Sequence, residues 1–127
     1  MPTSQAHASP LKVLIVDDEP LARDRLRALL SDIAGQLPSE VVGEAGNGLA
    51  ALDILREKPV DVVLADIRMP GMDGIELATH LGRLEKPPAV IFTTAYDNYA
   101  VQAFDLNAVD YLLKPVRTQR LLAALQK

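Results

Sequence analysis

The chain has 127 residues, 49% of them apolar and 24% charged, with a formal net charge of −4. That is one domain's worth of sequence with enough apolar material for a core, and its acidic balance gives no electrostatic footprint for nucleic acid or an anionic membrane. Having no cysteine, it excludes disulfides and thiolate metal sites, and it carries neither a signal-peptide core nor an apolar stretch approaching the ~18 residues of a membrane span. A cytoplasmic protein is expected. Met1–Pro10 is polar and rich in Ser, Ala and Pro, and reads as a flexible lead-in to a domain over residues 11–127. Short β-branched runs then alternate with helical patterns. Strands are predicted at Lys12–Val16, Glu40–Glu44, Asp61–Ala65, Ala89–Thr93 and Tyr111–Leu113. Helices are predicted at Pro20–Ala34, Leu49–Glu57, Ile75–Leu84, Tyr99–Leu106 and Thr118–Gln126. In the first helix Ala22, Leu26, Leu29, Leu30 and Ile33 share a face, and Pro20 suits the first turn.

Strands alternating with helices imply crossover connections and a parallel sheet covered on both faces. Five of each match the α/β flavodoxin-like doubly wound class, a (βα)5 arrangement with strand order 2-1-3-4-5. Its ligands bind beyond the carboxyl ends of the strands, near the first and third. Those strands run into Asp17-Asp18 and Asp66. Three carboxylates brought together repel one another, and an assembly that keeps them has usually gained a hard cation such as Mg²⁺, whose oxygen ligands come from more than one segment.

Asp66 is followed by Ile67-Arg68-Met69-Pro70-Gly71-Met72-Asp73-Gly74, where Pro70, Gly71 and Gly74 force a turn and keep Asp66 at an edge. Thr93, Thr94 and Ala95 follow the fourth run, so a hydroxyl there can donate to an oxygen of a phosphoryl group on the neighbouring acid. Lys114-Pro115 follows the fifth. A lysine at that edge can pair with carboxylate or phosphate, and a cis bond before Pro115 costs only about 0.5–1 kcal/mol.

Taken in order and on these strands, Asp17-Asp18, Asp66 with Met69-Pro70-Gly71-Met72-Asp73-Gly74, Thr94-Ala95 and Lys114-Pro115 resemble a response-regulator receiver domain. The likeness runs from about Lys12 to the end of the chain. It implies that a histidine kinase phosphorylates Asp66. Asp18, Asp66 and the backbone carbonyl of Arg68 would bind Mg²⁺ directly, and Asp17 through water. Thr94 and Lys114 would contact the phosphoryl oxygens, and Thr94 with Tyr111 would form a switch. Chemistry agrees: transfer to a carboxylate makes an acyl phosphate, whose oxygens need cations aimed at them.

The stretches Phe92–Ala100 and Ala108–Pro115 are similar to regulators carrying a LytTR-type DNA-binding output domain. The chain is therefore expected to be the receiver of a longer transcription regulator that reads DNA through a separate domain. A stand-alone receiver of the CheY kind is the alternative. Arg68 and Tyr96, two residues after Asp66 and Thr94, are bulky and not acidic, so slow self-dephosphorylation is expected. Leu21 and Arg25 lie off the apolar stripe of the first helix and suggest a docking surface for the kinase. The fourth helix, fifth strand and fifth helix, with Tyr99, Asp110, Arg117 and Arg120, suggest a face for a homodimer.

Two other function classes are weighed. An Asp-nucleophile phosphatase of the haloacid-dehalogenase type would place its nucleophile after the first strand with another acid two residues on, and no cap segment is evident here. A phosphorylation-independent interaction module would not need Asp17, Asp18, Asp66, Thr94 and Lys114 together. His7 falls in the lead-in, and His80, four residues after Glu76, reads as a surface helix pair. Gly43, Gly46 and Gly48 follow the second strand, whereas a dinucleotide fingerprint follows the first, where the acids would repel a pyrophosphate.

Overall fold

Val13, Leu14, Ile15 and Val16 are all fully buried in β1 (Leu11–Val16), as a strand covered on both faces requires. The structure, a computed structural model, describes residues 9–127. Residues 1–8, with His7 and most of the expected lead-in, lie outside them. The order continues α1 (Pro20–Asp32), β2 (Ser39–Ala45), α2 (Gly48–Glu57), β3 (Val62–Ala65), α3 (Gly74–Leu81), β4 (Ala89–Thr94), α4 (Ala100–Asp105), β5 (Asp110–Leu113) and α5 (Thr118–Leu125). The strands form one five-stranded sheet, β2-β1-β3-β4-β5, and every pairing is parallel. This is the doubly wound architecture expected from the sequence.

Alternation along each strand divides the core in two. Val13, Ile15, Val62, Leu64 and Ile91 face α1 and α5, where Leu26, Leu29, Leu30, Ile33 and Leu121 meet them. Leu14, Val16, Val63, Ala65 and Phe92 face the opposite layer, with Ala51, Leu77, Leu81 and Ala103 from α2, α3 and α4. Phe92 is fully buried, so truncating it to alanine would cost about 3–5 kcal/mol.

Several helix ends differ from the predicted ones by one to three residues. Asn47 caps α2 by accepting the Ala50 N–H at 2.8 Å, so the helix begins at Gly48. Asp73 and Glu76 form a reciprocal capping box that starts α3 at Gly74. That helix stops at Leu81 and not at Leu84, because Arg83 and Leu84 turn back onto the carbonyls of His80 and Leu81 in tighter turns. The Glu76 carboxylate is committed to the cap, and His80 is exposed. Among the described residues, no helix is long and apolar enough to cross a membrane.

Candidate functional site

The parallel register brings the ends of β1 and β3 together. The Asp66 N–H donates to the Val16 carbonyl at 2.9 Å, and the Asp17 N–H to the Ala45 carbonyl at 2.9 Å. Asp17, Asp18 and Asp66 each offer one carboxylate oxygen within 4.8 Å of the others. Their environments differ: Asp17 is fully buried, Asp66 is buried and Asp18 is exposed. Asp17 Oδ1 accepts the Glu19 N–H at 2.9 Å, which fixes the carboxylate against its own loop.

Lys114, at the end of β5, reaches across and relieves part of the repulsion. Its Nζ donates to Asp17 Oδ2 at 2.7 Å and to Asp66 Oδ2 at 3.3 Å, and lies 4.0 Å from Glu19 Oε1. The residue is only partly exposed. Burial alone would lower its pKa, but the Asp17 hydrogen bond and the Asp66 and Asp17 charges hold it above the ordinary value. Asp66 moves the opposite way from a normal salt-bridged acid. Burial raises its pKa and the Asp17 charge adds to the rise, against the lowering pull of Lys114. By count, one ammonium faces the three carboxylates of Asp17, Asp18 and Asp66. A hard divalent cation fits this all-oxygen donor set, with carboxylates from two strand ends.

The turn after Asp66 holds it there. Gly74 donates to the Ile67 carbonyl at 2.8 Å, and a Cβ on Gly74 would collide with the Asp66 carbonyl and lie 2.9 Å from the Ile67 Cα. Gly71 has φ +72°, a left-handed conformation that favours glycine. The Lys114–Pro115 peptide is cis.

The two threonines at the end of β4 point to opposite faces. Thr93 is fully buried toward α1 and α5, and its hydroxyl has no hydrogen-bond partner among the described residues. It lines a cavity of about 290 Å³ with Ala22, Arg25, Leu26, Lys114, Pro115 and Val116. Thr94, also fully buried, accepts the Tyr96 N–H on its hydroxyl at 3.3 Å. The Tyr111 hydroxyl donates to the Tyr96 carbonyl and accepts the Tyr99 N–H at 3.3 Å, while its ring meets Phe92 edge-on with centroids 6.4 Å apart. Arg68 and Tyr96 find each other, the guanidinium lying 4.5 Å from the ring centroid.

Leu21 is 82% exposed on α1, as expected for a residue off the apolar stripe. The exposed Arg25 donates to the Val116 carbonyl at 3.0 Å, tying α1 to the turn after β5. Asp110 and Arg120, suggested by the sequence for a homodimer face, are paired with each other within the chain: two bonds of 2.7 Å join them, and Lys127 adds a third at 2.8 Å. The Arg120 bonds hold the Asp110 carboxyl well below the usual carboxylate range. The sequence reading also missed Arg23, which donates to the Asp17 carbonyl at 2.7 Å. A basic residue one helical turn past an acidic loop was the available signal.

Comparison with known proteins agrees with this geometry. Residues 13–126 match the response regulator receiver domain family. The positive alginate biosynthesis regulatory protein of Pseudomonas aeruginosa is 50% identical over 117 residues, 92% of this chain and 46% of the relative. Transcriptional regulatory protein LytR of Staphylococcus aureus is 44% identical over 117 residues, again 92% of this chain and 46% of the relative. The chain therefore spans about half the length of these relatives. Among solved structures, the response regulatory domain of protein mrkE from Klebsiella pneumoniae superposes with a TM-score of 0.83 at 38% identity, covering 91% of this chain and 93% of that one. A CheY-like receiver domain protein from Methanospirillum hungatei gives 0.78 at 26% identity, covering 93% and 92%. With acids converging at the ends of its first and third strands and a family match over nearly its whole length, the chain belongs to the response regulator receiver domains of two-component signalling.

Proposed function

We propose that Asp66 accepts a phosphoryl group from a histidine kinase, with Mg²⁺ bound by the neighbouring acids, and that this switches a transcriptional output. The observation that carries the reading is the meeting of Asp17, Asp18 and Asp66 within 4.8 Å, with Lys114 bridging Asp17 and Asp66. An Asp66 carboxylate oxygen attacks phosphorus in line, the P–N bond of the donor phosphohistidine breaks, and the departing imidazole keeps the bonding pair and takes a proton. Bound Mg²⁺ would supply positive charge for the phosphoryl oxygens. Asp18, Asp66 and the Arg68 carbonyl would hold it, with Asp17 one water further out. Lys114 has a carboxylate partner to exchange for a phosphoryl oxygen, and the Thr94 hydroxyl accepts the Tyr96 amide through a long bond it could release. The chain transforms no other substrate: the phosphoryl group stays on it as a signal until hydrolysis.

Residues 11–127 form the phosphoacceptor unit of this reading, in the cytoplasm. The length of the curated relatives favours a longer LytTR-type transcription regulator, with DNA bound through an output domain beyond this chain. The exposed Leu21 beside the acidic edge supports kinase docking on α1. Phe104 on α4, 80% exposed, and Leu113 on β5, 50% exposed, support a homodimer through α4, β5 and α5 better than the Asp110–Arg120 pair does. The test of the phosphoacceptor is chemical. After treatment with acetyl phosphate and Mg²⁺, borohydride reduction and peptide mapping should find homoserine at position 66. Modification at another residue, with Asp66 intact, would overturn the reading.

A further inference from the structure

Arg23 on α1 joins two segments that meet at the acids. Its Nη1 donates to the Asp17 carbonyl at 2.7 Å and its Nε to Glu44 Oε1 at 3.0 Å. Glu44, on β2, sits opposite Ile15 in the register and also accepts from Arg27. The Asp17 peptide is therefore gripped on both sides, its N–H by the Ala45 carbonyl and its C=O by Arg23. Only 21% of the Arg23 side chain is exposed, so the contact is shielded from water.

We infer that Arg23, anchored by Glu44, is a positioning residue for the metal site: it fixes the Asp17 peptide and so sets the Asp17 and Asp18 carboxylates against Asp66. The inference rests on the Mg²⁺ reading above. A planar guanidinium presents donors at fixed angles and reaches both acceptors at once, which a lysine ammonium on a flexible stem does not. Hydrogen bonding to Arg27 holds the Glu44 carboxyl below its ordinary range despite partial burial, with Arg23 contributing, so the anchor is ionised at neutral pH.

Charge and position predict opposite outcomes, which makes the assignment decidable. As a bare cation near the acids, Arg23 would repel Mg²⁺, and deleting it would tighten binding. As a clamp, it holds ligands in place, and deleting it loosens binding; partners of this outer kind are worth 10–100-fold in metal affinity. Glu44 shares its single negative charge between Arg23 and Arg27 and only partly offsets them, so the direct bond from Arg23 to the Asp17 carbonyl is what decides for position.

The experiment titrates Mg²⁺ alone into the full chain and follows the amide shifts of Asp17, Asp18 and Asp66, with thermal unfolding recorded for each variant. Arg23→Ala and Arg23→Lys are expected to weaken Mg²⁺ about 10-fold. Glu44→Ala, which frees the guanidinium without touching Asp17, is expected to weaken it several-fold. Arg27→Ala, which removes the same charge from Glu44 but leaves the Asp17 contact, should match the unaltered chain. Unchanged or tighter binding in Arg23→Ala, wild-type affinity in Arg23→Lys, or equal loss in Arg27→Ala overturns the inference. If the Arg23 variants do not fold, unchanged affinity in Glu44→Ala overturns it and the several-fold loss supports it. Should the unaltered chain fail to bind Mg²⁺, the metal reading itself fails and takes this inference with it.

Discussion

Thr94 and Tyr111 hold the same residue from two sides: the Thr94 hydroxyl accepts the Tyr96 N–H at 3.3 Å, and the Tyr111 hydroxyl donates to the Tyr96 carbonyl. Thr94 can turn toward a phosphoryl group only by releasing that amide, and Tyr111 can turn inward only by releasing the carbonyl and the Tyr99 amide. In the proposed switch, the loop from Ala95 to Tyr99 would register the state of both side chains. A phosphoryl group shifts such an equilibrium by its differential contacts in the two states. Thr94→Ala should slow labelling of Asp66 by acetyl phosphate by no more than about 2–12-fold, since a lost neutral hydrogen bond is worth only about 0.5–1.5 kcal/mol. It should abolish the phosphorylation-dependent amide shifts of Tyr96 and Tyr99. Shifts of normal size in Thr94→Ala would remove the threonine from the switch.

The stack of Arg68 on Tyr96 makes a second expectation concrete. Both side chains are exposed and stack on each other from the β3–α3 and β4–α4 loops, two residues after Asp66 and Thr94. Neither can orient a hydrolytic water as an acid would. Phosphorylated Asp66 should persist for minutes or longer at pH 7 with Mg²⁺. An exposed cation–π contact is worth about 0.5–1 kcal/mol, so Tyr96→Ala should shorten that lifetime by about 2–5-fold. A lifetime of seconds in the unaltered chain, read by loss of phosphoprotein mass, would contradict this.

Burial lifts the Asp66 carboxyl above its ordinary 3.8, so the folded chain takes up this proton more readily than the unfolded chain. Below that ordinary value both states are protonated and Asp66 withdraws nothing. As pH rises through the raised folded-state value, stability is lost, because the folded chain must ionise a buried acid beside Asp17. Asp66→Asn, measured in chelator, should therefore melt a few degrees higher than the parent at pH 7, with the margin shrinking toward pH 4. A lower melting temperature for Asp66→Asn at pH 7 would show that Lys114 outweighs burial.

Gly74→Ala tests the turn that carries Asp66. The added methyl meets the Asp66 carbonyl and the Ile67 Cα, which are backbone and cannot swing aside. A cost of about 1–3 kcal/mol in urea unfolding is expected, with slower labelling of Asp66 as its peptide is pushed away. Unchanged stability and labelling would mean that the turn tolerates displacement.

How much of this was legible in the sequence depends on distance along the chain. Strand runs such as Leu11–Val16 and Ala89–Thr94 announce themselves, because burial on both faces demands continuous β-branched and apolar residues. That the acids after β1 and β3 lie side by side follows from the parallel pairing of those strands. The helix ends were less legible, since the end of α3 depends on tight turns after Leu81 and the start of α2 on the Asn47 side chain. The difference between buried Asp17 and exposed Asp18 follows from pleat direction at a strand end, where the pattern has run out. The Arg23–Asp17, Lys114–Asp17 and Asp110–Arg120 pairs join segments that only the completed fold brings together. Residue type suggested a partner for each of these side chains, but not which one.

In the proposed function, Asp66 takes phosphate only when a divalent cation offsets the acids around it. Intact mass after treatment with acetyl phosphate tests this directly, for the unaltered chain and for Asp66→Asn, each with Mg²⁺ and with excess chelator. A single phosphoryl addition is expected on the unaltered chain with Mg²⁺, and none in chelator or in Asp66→Asn. Equal labelling of the unaltered chain in chelator would contradict it.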